Sequence, residues 1–160
     1  MVFRDMSNIE RIYKMLNWKN TPAVLAEGKR LASAVENISL LIMPPAAPSV
    51  WGECAEVLCE KSDQELEPHL SALLAWLEDL NWLGALTILD RLKRFSGEKL
   101  KAPFLDRVAQ ATAMHNEEGL RWLDYLSELL DNESLKAELP TEVAEMLTRH
   151  YQNWAFWYEE

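Results

Sequence analysis

The three histidines and two cysteines are the residues from which a metal centre or a reactive nucleophile would be built, and their spacing argues against both. His69, His115 and His150 never fall four apart, the interval that lets two imidazoles on one helix face share an ion. Glu65 and His69 are four apart. Pro68 between them interrupts the helical turn that would align the pair, so a solvated surface pair is the plainer reading. Cys54 and Cys59 are five apart, which on a helix separates them by about 140° around the axis, too far for an easy bridge or a shared metal. Two buried thiols are expected instead. The chain has no GxSxG, GxxxxGK, GxGxxG, HExxH or CxxC, and Ser96-Gly97-Glu98-Lys99 resembles a phosphate loop only in having a glycine before a lysine. With 26 Asp and Glu residues in the chain, no carboxylate pair singles itself out for acid–base work. No catalytic residue, metal or cofactor is expected.

The tryptophans carry more information. Trp76 lies on or beside a leucine stripe and reads as core. Trp82 and Trp122 border expected helix starts with carboxylates close in sequence, Glu78 and Asp79 for the first, Glu118 and Asp124 for the second. An exposed ring of either would form an acidic and aromatic groove, so Asp79, Asn81, Trp82, Trp122 and Asp124 are the candidate binding residues. Burial in the core, or cover for a turn, is the competing use of such rings. Trp154, Phe156, Trp157 and Tyr158 are expected to cover the last apolar face.

These residues are positioned by helices. Ser7 with Glu10 suggests a capped helix from Ser7 to Asn17, and Thr21-Pro22 opens a second one through Val24, Leu25, Leu31 and Val35. Together they form an antiparallel pair over residues 7–36. Ile38 to Met43 is readable as a buried helix end or an extended run, and Pro44, Pro45 and Pro48 then break the chain. A third helix is expected from Pro48 to Glu60. Ser62 and Glu65 form a capping box before a turn at Pro68 and a stripe of Leu66, Leu70, Leu73, Leu74, Leu77 and Leu80. Leu83, Leu86, Leu89, Leu92 and Phe95 predict a fifth helix stopped by Gly97. The sixth holds Leu100, Phe104, Leu105 and Val108, with Pro103 tolerable in its first turn. Asn116 caps the seventh, which turns Leu120, Leu123, Leu126 and Leu130 inward. A capping helix occupies about residues 140–158.

Leu70/Leu105, Leu73/Val108, Asn81/Asn116 and Gly84/Gly119 match at an offset of 35, and Leu86/Leu120, Leu89/Leu123, Asp90/Asp124 and Leu92/Leu126 at 34. Leu16-Asn17-Trp18 recurs as Leu80-Asn81-Trp82, each between two helices, where the Asn is expected to cap the next helix and the Trp to cover the turn. No hairpin pattern is present. The expected class is all-α, a single domain over residues 1–160 arranged as a short HEAT-like α-solenoid of antiparallel helix pairs.

The charge balance is 16 Lys and Arg against 26 Asp and Glu, a net −10. That sign opposes a phosphate backbone, so nucleic acid is not an expected partner, and Lys29/Arg30 and Arg91/Lys93/Arg94 read as solvated helix faces. The longest apolar stretch, Ile38 to Met43, falls far short of the ~20 residues a membrane span needs. The amino-terminal Met1-Val2-Phe3-Arg4-Asp5-Met6 lacks the pattern of an export signal, so a cytoplasmic location is expected.

The runs Trp51-Gly52-Glu53-Cys54-Ala55-Glu56-Val57-Leu58, Lys61-Ser62-Asp63-Gln64-Glu65-Leu66-Glu67-Pro68 and Trp76-Leu77-Glu78-Asp79-Leu80-Asn81-Trp82 together resemble the bacterial domain-of-unknown-function family DUF5071, a set of HEAT-like helical repeats. The likeness covers roughly residues 48–131, and Trp76 to Trp82 is its most specific part; Leu83 stands where the family pattern has proline. The resemblance implies a helical repeat and brings no activity or site residues with it. The function expected is therefore non-catalytic binding of a basic protein, for instance as an immunity or antitoxin factor. An enzyme or small-ligand protein using the acidic and aromatic groove is the alternative.

Overall fold

The structure, a computed structural model, describes residues 2–45 and 48–153. Among these residues all regular structure is helical, as the sequence predicts. Helix α1 spans Val2–Met15, so Ser7 lies inside it rather than at its cap. Helix α2, Pro22–Ser33, begins as expected: the Thr21 hydroxyl accepts the Val24 N–H at 3.4 Å and Pro22 takes the first helical position. Ile38–Leu41 is a 3-10 turn capped by Asn37, so the first four residues of the ambiguous run are helical, while Ile42 is extended and Met43 has φ of 42°. A further 3-10 turn, Pro48–Val50, leads into α3, Trp51–Cys59.

The next segment is broken, as a proline in mid-stripe requires. Helix α4, Asp63–Leu66, has both bonds of the Ser62–Glu65 capping box. A 3-10 turn at Glu67–His69 holds Pro68, followed by α5, Leu70–Ala75, and another 3-10 turn, Trp76–Glu78. Leu66, Leu70, Leu73, Leu74 and Leu77 are all buried, and Leu80 is half-buried. Helix α6 is Ala85–Leu92 and α7 is Gly97–Met114. Helix α8, Glu117–Ser127, is capped by Asn116, whose Oδ1 accepts the Gly119 N–H at 2.8 Å. After a 3-10 turn at Glu128–Asp131 come α9, Glu133–Glu138, which the leucine pattern did not reveal, and α10, Thr141–Asn153. The expected aromatic cover at Trp154 to Tyr158 lies outside the described residues.

Two expectations are corrected in this region. Gly97 does not stop a helix; it opens α7, because its N–H donates to the Ser134 hydroxyl at 2.9 Å and its missing side chain lets α9 approach. A Cβ at position 97 would stand 2.2 Å from the Ser134 carbonyl carbon and 2.3 Å from the Leu135 nitrogen. Pro103 sits beyond the first turn of α7, and the residue whose carbonyl loses its helical bond, Lys99, is exposed.

Consecutive helices pack for α1 on α2, α2 on α3 and α7 on α8, and the other main contacts skip at least one element: α3 on α6, α5 on α7, α7 on α9 and α8 on α10. Three of the residue pairs matched in sequence are buried at both positions: Leu73 and Val108, Leu89 and Leu123, and Leu92 and Leu126. The match fails at the junction, where Gly84 precedes α6 with φ of 84° while Gly119 lies within α8.

The centre is tied by a few polar side chains. Buried Asn132 donates from Nδ2 to the carbonyls of Leu92 and Phe95, each at 2.9 Å, and its Oδ1 accepts the Leu135 N–H at 3.0 Å. The guanidinium of Arg91 donates to Asp63 Oδ1 at 2.6 Å and to the Lys61 carbonyl at 3.0 Å, while Asp63 Oδ2 accepts the Ser96 N–H at 3.0 Å. Replacing Asn132 by alanine takes its donor from the Phe95 carbonyl, takes one of two donors from the Leu92 carbonyl, which keeps the Phe95 N–H at 3.1 Å, and removes the cap of α9. With about 1–3 kcal/mol for a buried polar group left unsatisfied and about 1 kcal/mol for a lost cap, Asn132→Ala should lower unfolding free energy by about 2–4 kcal/mol, as urea denaturation would report.

Candidate functional site

The turn between Trp76 and α6 is closed by its first aromatic residue. Trp76 is fully buried, and an indole N–H taken from water needs an acceptor; its Nε1 donates to the Leu83 carbonyl at 3.0 Å. Within the loop so closed, Asp79 is extended and its Oδ1 accepts the Asn81 N–H at 2.9 Å, an Asx-turn. The Trp82 N–H then donates to the Asp79 carbonyl at 3.0 Å, and the Ala85 N–H to the Trp82 carbonyl at 3.1 Å. Gly84 ends the turn at positive φ, a conformation that side chains resist. A Cβ there would also stand 2.7 Å from the Trp51 carbonyl oxygen and 2.9 Å from the Trp76 ring.

The result is a rigid turn presenting apolar groups to solvent. Trp82 is 36% exposed, Leu83 49% and Leu86 59%. Trp51 supports them from beneath. Its ring meets Trp76 at 6.1 Å and Trp82 at 5.8 Å, both edge-on, and its Nε1 donates to the Pro44 carbonyl at 2.9 Å. The expectation that Leu83 and Leu86 face inward is corrected. Helix α6 begins only at Ala85, so Leu83 lies in the turn, and the buried stripe is Ala85, Ile88, Leu89 and Leu92, which leaves Leu86 outside.

The five candidate residues occupy two places. Asp79, Asn81 and Trp82 share the turn. Asn81 is exposed and does not cap α6, whose N-cap is Gly84 with no side-chain bond, because the helix starts too far downstream for Asn81 to reach. Trp122 is buried at 1% exposure, donates from Nε1 to the Leu74 carbonyl at 3.2 Å, and carries the Arg107 guanidinium 5.6 Å above its ring. It lines no groove. Asp124 faces α10, where its Oδ1 lies 2.7 Å from His150 Nε2. That nitrogen is also 3.0 Å from the Leu120 carbonyl, which can only accept, so Nε2 carries the proton. The acidic and aromatic groove drawn from all five residues is therefore not assembled.

Other reactive groups are accounted for by packing. Burial pushes the Cys54 thiol up to about 12, with the Glu53 charge adding to it. Cys59 is half-buried, its Sγ lies 3.3 Å from the Thr87 carbonyl, and burial again raises its pKa against the opposing pull of Arg94 and Arg91. Neither is an activated nucleophile. Glu65 serves the capping box, and no cluster of three or more His, Cys, Asp or Glu among the described residues could hold a metal ion. Two open depressions, about 540 Å³ between α9 and α10 and about 490 Å³ beside Cys59, include none of the five candidates. No helix of the described residues is long and apolar enough to cross a membrane.

Among the described residues the protein is all-helical, and it presents Trp82 and Leu83 from a turn closed by the Trp76–Leu83 bond. The chain belongs to a family described as a domain of unknown function (DUF5071), whose profile matches residues 52–153, more than half of the chain. The match runs beyond residue 131 to include α9 and all of α10. No curated protein and no solved structure matches the chain.

Two substitutions test this geometry. Asn81→Ala should change stability by less than about 0.5 kcal/mol, the range of surface changes away from caps, measured by thermal melting. Burial raises the Asp124 pKa above the ordinary carboxylate value, against the opposing pull of His150. An acid with a raised folded-state pKa binds more protons folded than unfolded, so its ionisation opposes folding at neutral pH and that penalty fades as pH falls through the raised value. Asp124→Asn should therefore melt at or above the wild-type temperature at pH 7, and the wild type should gain on the variant as pH is lowered toward 4.

Proposed function

We propose that this chain is a non-catalytic helical-repeat protein that docks a basic protein partner on the Asp79–Gly84 turn and the adjoining first turn of α6. The observation that carries the reading is the exposure of Trp82, Leu83 and Leu86 on a turn fixed by the Trp76–Leu83 bond and by Gly84. Apolar groups held rigidly in water lose little conformational freedom on binding, and aromatic anchors of this kind dominate interface energies. Asp79 and Glu78 sit in the same turn, and a net charge of −10 steers a partner of opposite sign toward the molecule.

In this reading the helix pairs stack as a short solenoid, with the packing of α1 on α2, α2 on α3 and α7 on α8 and the buried matched positions of the sequence repeat as its support. Two free cysteines suit a reducing, cytoplasmic setting. Neutralisation of a basic toxin, as an immunity or antitoxin factor, is the concrete form that small size and acidity favour.

The test is capture from host lysate by the tagged chain at low and moderate salt, alongside a variant carrying Asp79→Lys and Leu86→Lys. One basic protein should be retained at low salt, released as salt rises, and lost with the variant while its melting temperature holds. An empty capture, or one indifferent to the variant, would overturn the reading.

A further inference from the structure

Leu16-Asn17-Trp18 and Leu80-Asn81-Trp82 end in rings that are both exposed, Trp18 to 59% and Trp82 to 36%. Both stand against the same stretch of chain. The Trp18 N–H donates to the Ser49 carbonyl at 3.4 Å and Asn17 Nδ2 reaches the Ser49 hydroxyl at 3.3 Å, while the Trp82 ring meets that of Trp51 at 5.8 Å. The backbone bonds of the two turns differ. In the first, Asn17 Oδ1 accepts the Lys19 N–H at 3.0 Å; in the second, that acceptor is Asp79 Oδ1, two residues upstream of Asn81.

What lies on each indole differs too. Lys19, the residue after Trp18, holds its ammonium 5.6 Å from the ring centroid, inside the range where the ring quadrupole attracts a cation. The residue after Trp82 is Leu83, which has no charge to offer. In place of a cation this second turn has an anion: the half-buried carboxylate of Asp79, with one oxygen engaged by the Asn81 N–H. Trp82, partly exposed, shares its turn with that carboxylate, its N–H bonded to the Asp79 carbonyl, and the two residues together complement a side chain that is both cationic and broad enough to lie on an indole.

We infer that Trp82 and Asp79 form a receptor for one lysine or arginine side chain of the partner protein. The cation lies over the Trp82 indole as Lys19 lies over Trp18, and its charge meets Asp79. This rests on the reading of the turn as the docking surface and specifies what that surface recognises. Lys19 is the chain's own example of the ligand; at Trp82 the ligand comes from another protein.

The test uses the indole N–H resonances of the full chain, with that of Trp82 assigned from Trp82→Phe. The probes are N-acetyl-arginine methylamide, N-acetyl-lysine methylamide and the neutral N-acetyl-norleucine methylamide. The Trp82 signal should move saturably with the two cations and not with norleucine, while the signals of buried Trp76 and Trp122 stay in place and report an intact fold. Asp79→Asn should weaken the response at least about threefold. Leu83→Lys, at an exposed position, places a lysine after Trp82 as Lys19 follows Trp18 and should weaken it similarly. Absence of movement with both cations would overturn the inference. So would equal movement with norleucine, which would mark a purely apolar face and leave the docking surface itself standing. Loss of the docking reading would appear separately, as partner capture indifferent to Asp79→Lys and Leu86→Lys.

Discussion

A connection between two helices carries polar backbone groups that neither helix can pair in full, and in this protein the side chains that bond the segment leaving α6 fix where the next helix starts. Asn132 reaches from the start of α9 to the carbonyls of Leu92 and Phe95, and with its remaining oxygen caps its own helix. Asp63 takes the Ser96 N–H one step further along and holds the buried Arg91. One short connection, residues 93–96, is thus bonded to side chains from α4 and from the head of α9. Its path sets where α7 begins, and α7 is the longest helix among those described, on which α5, α8 and α9 pack. A buried amide with every group paired contributes specificity as well as stability, because no shifted register satisfies the same carbonyls.

Much of this fold is legible in the sequence because it is written in local chemistry. Thr21-Pro22, the Ser62–Glu65 box and Asn116 are caps whose acceptors and donors lie within three residues, and each forms as read. The leucine stripe of α4 and α5 is buried as read. What was not legible depends on contacts far along the chain. Gly97 looks like a helix terminator until Ser134 is beside it, 37 residues away. Helix α9 spans only Glu133–Glu138 and lacks a stripe of its own; its cap, Asn132, was the available signal.

The candidate site divides in the same way. Asp79 and Trp82 were identified from an aromatic ring with carboxylates near it, and the structure keeps them in one turn. Trp122 has similar neighbours in sequence but lies in the core, because its indole finds the Leu74 carbonyl and Arg107 covers its face. Sequence proximity to a charge does not tell which side of a helix a ring is on. Trp51 was missed as the support of Trp82 because the two are 31 positions apart. Leu86 was misread because a stripe through Leu83, Leu86 and Leu89 assumes a helix that begins before the turn has ended.

The seam between α2 and α3 is made differently from the rest of the core. The buried residues of α2 are only Gly28 and Ala32, so little apolar surface leaves water along it. What spans the seam is charge: Lys29 between Glu53, at 2.7 Å, and Glu56, and the Lys61 ammonium on the Ser33 carbonyl at 2.7 Å. Contacts between partly exposed charges weaken as counterions accumulate, whereas apolar packing does not. Added salt therefore weakens the links between α2 and α3 and leaves untouched the packing of α2 on α1. Trp18, whose N–H bonds the Ser49 carbonyl, thus stands near a seam joined by ion pairs, and Trp82 on one joined by edge-on indoles.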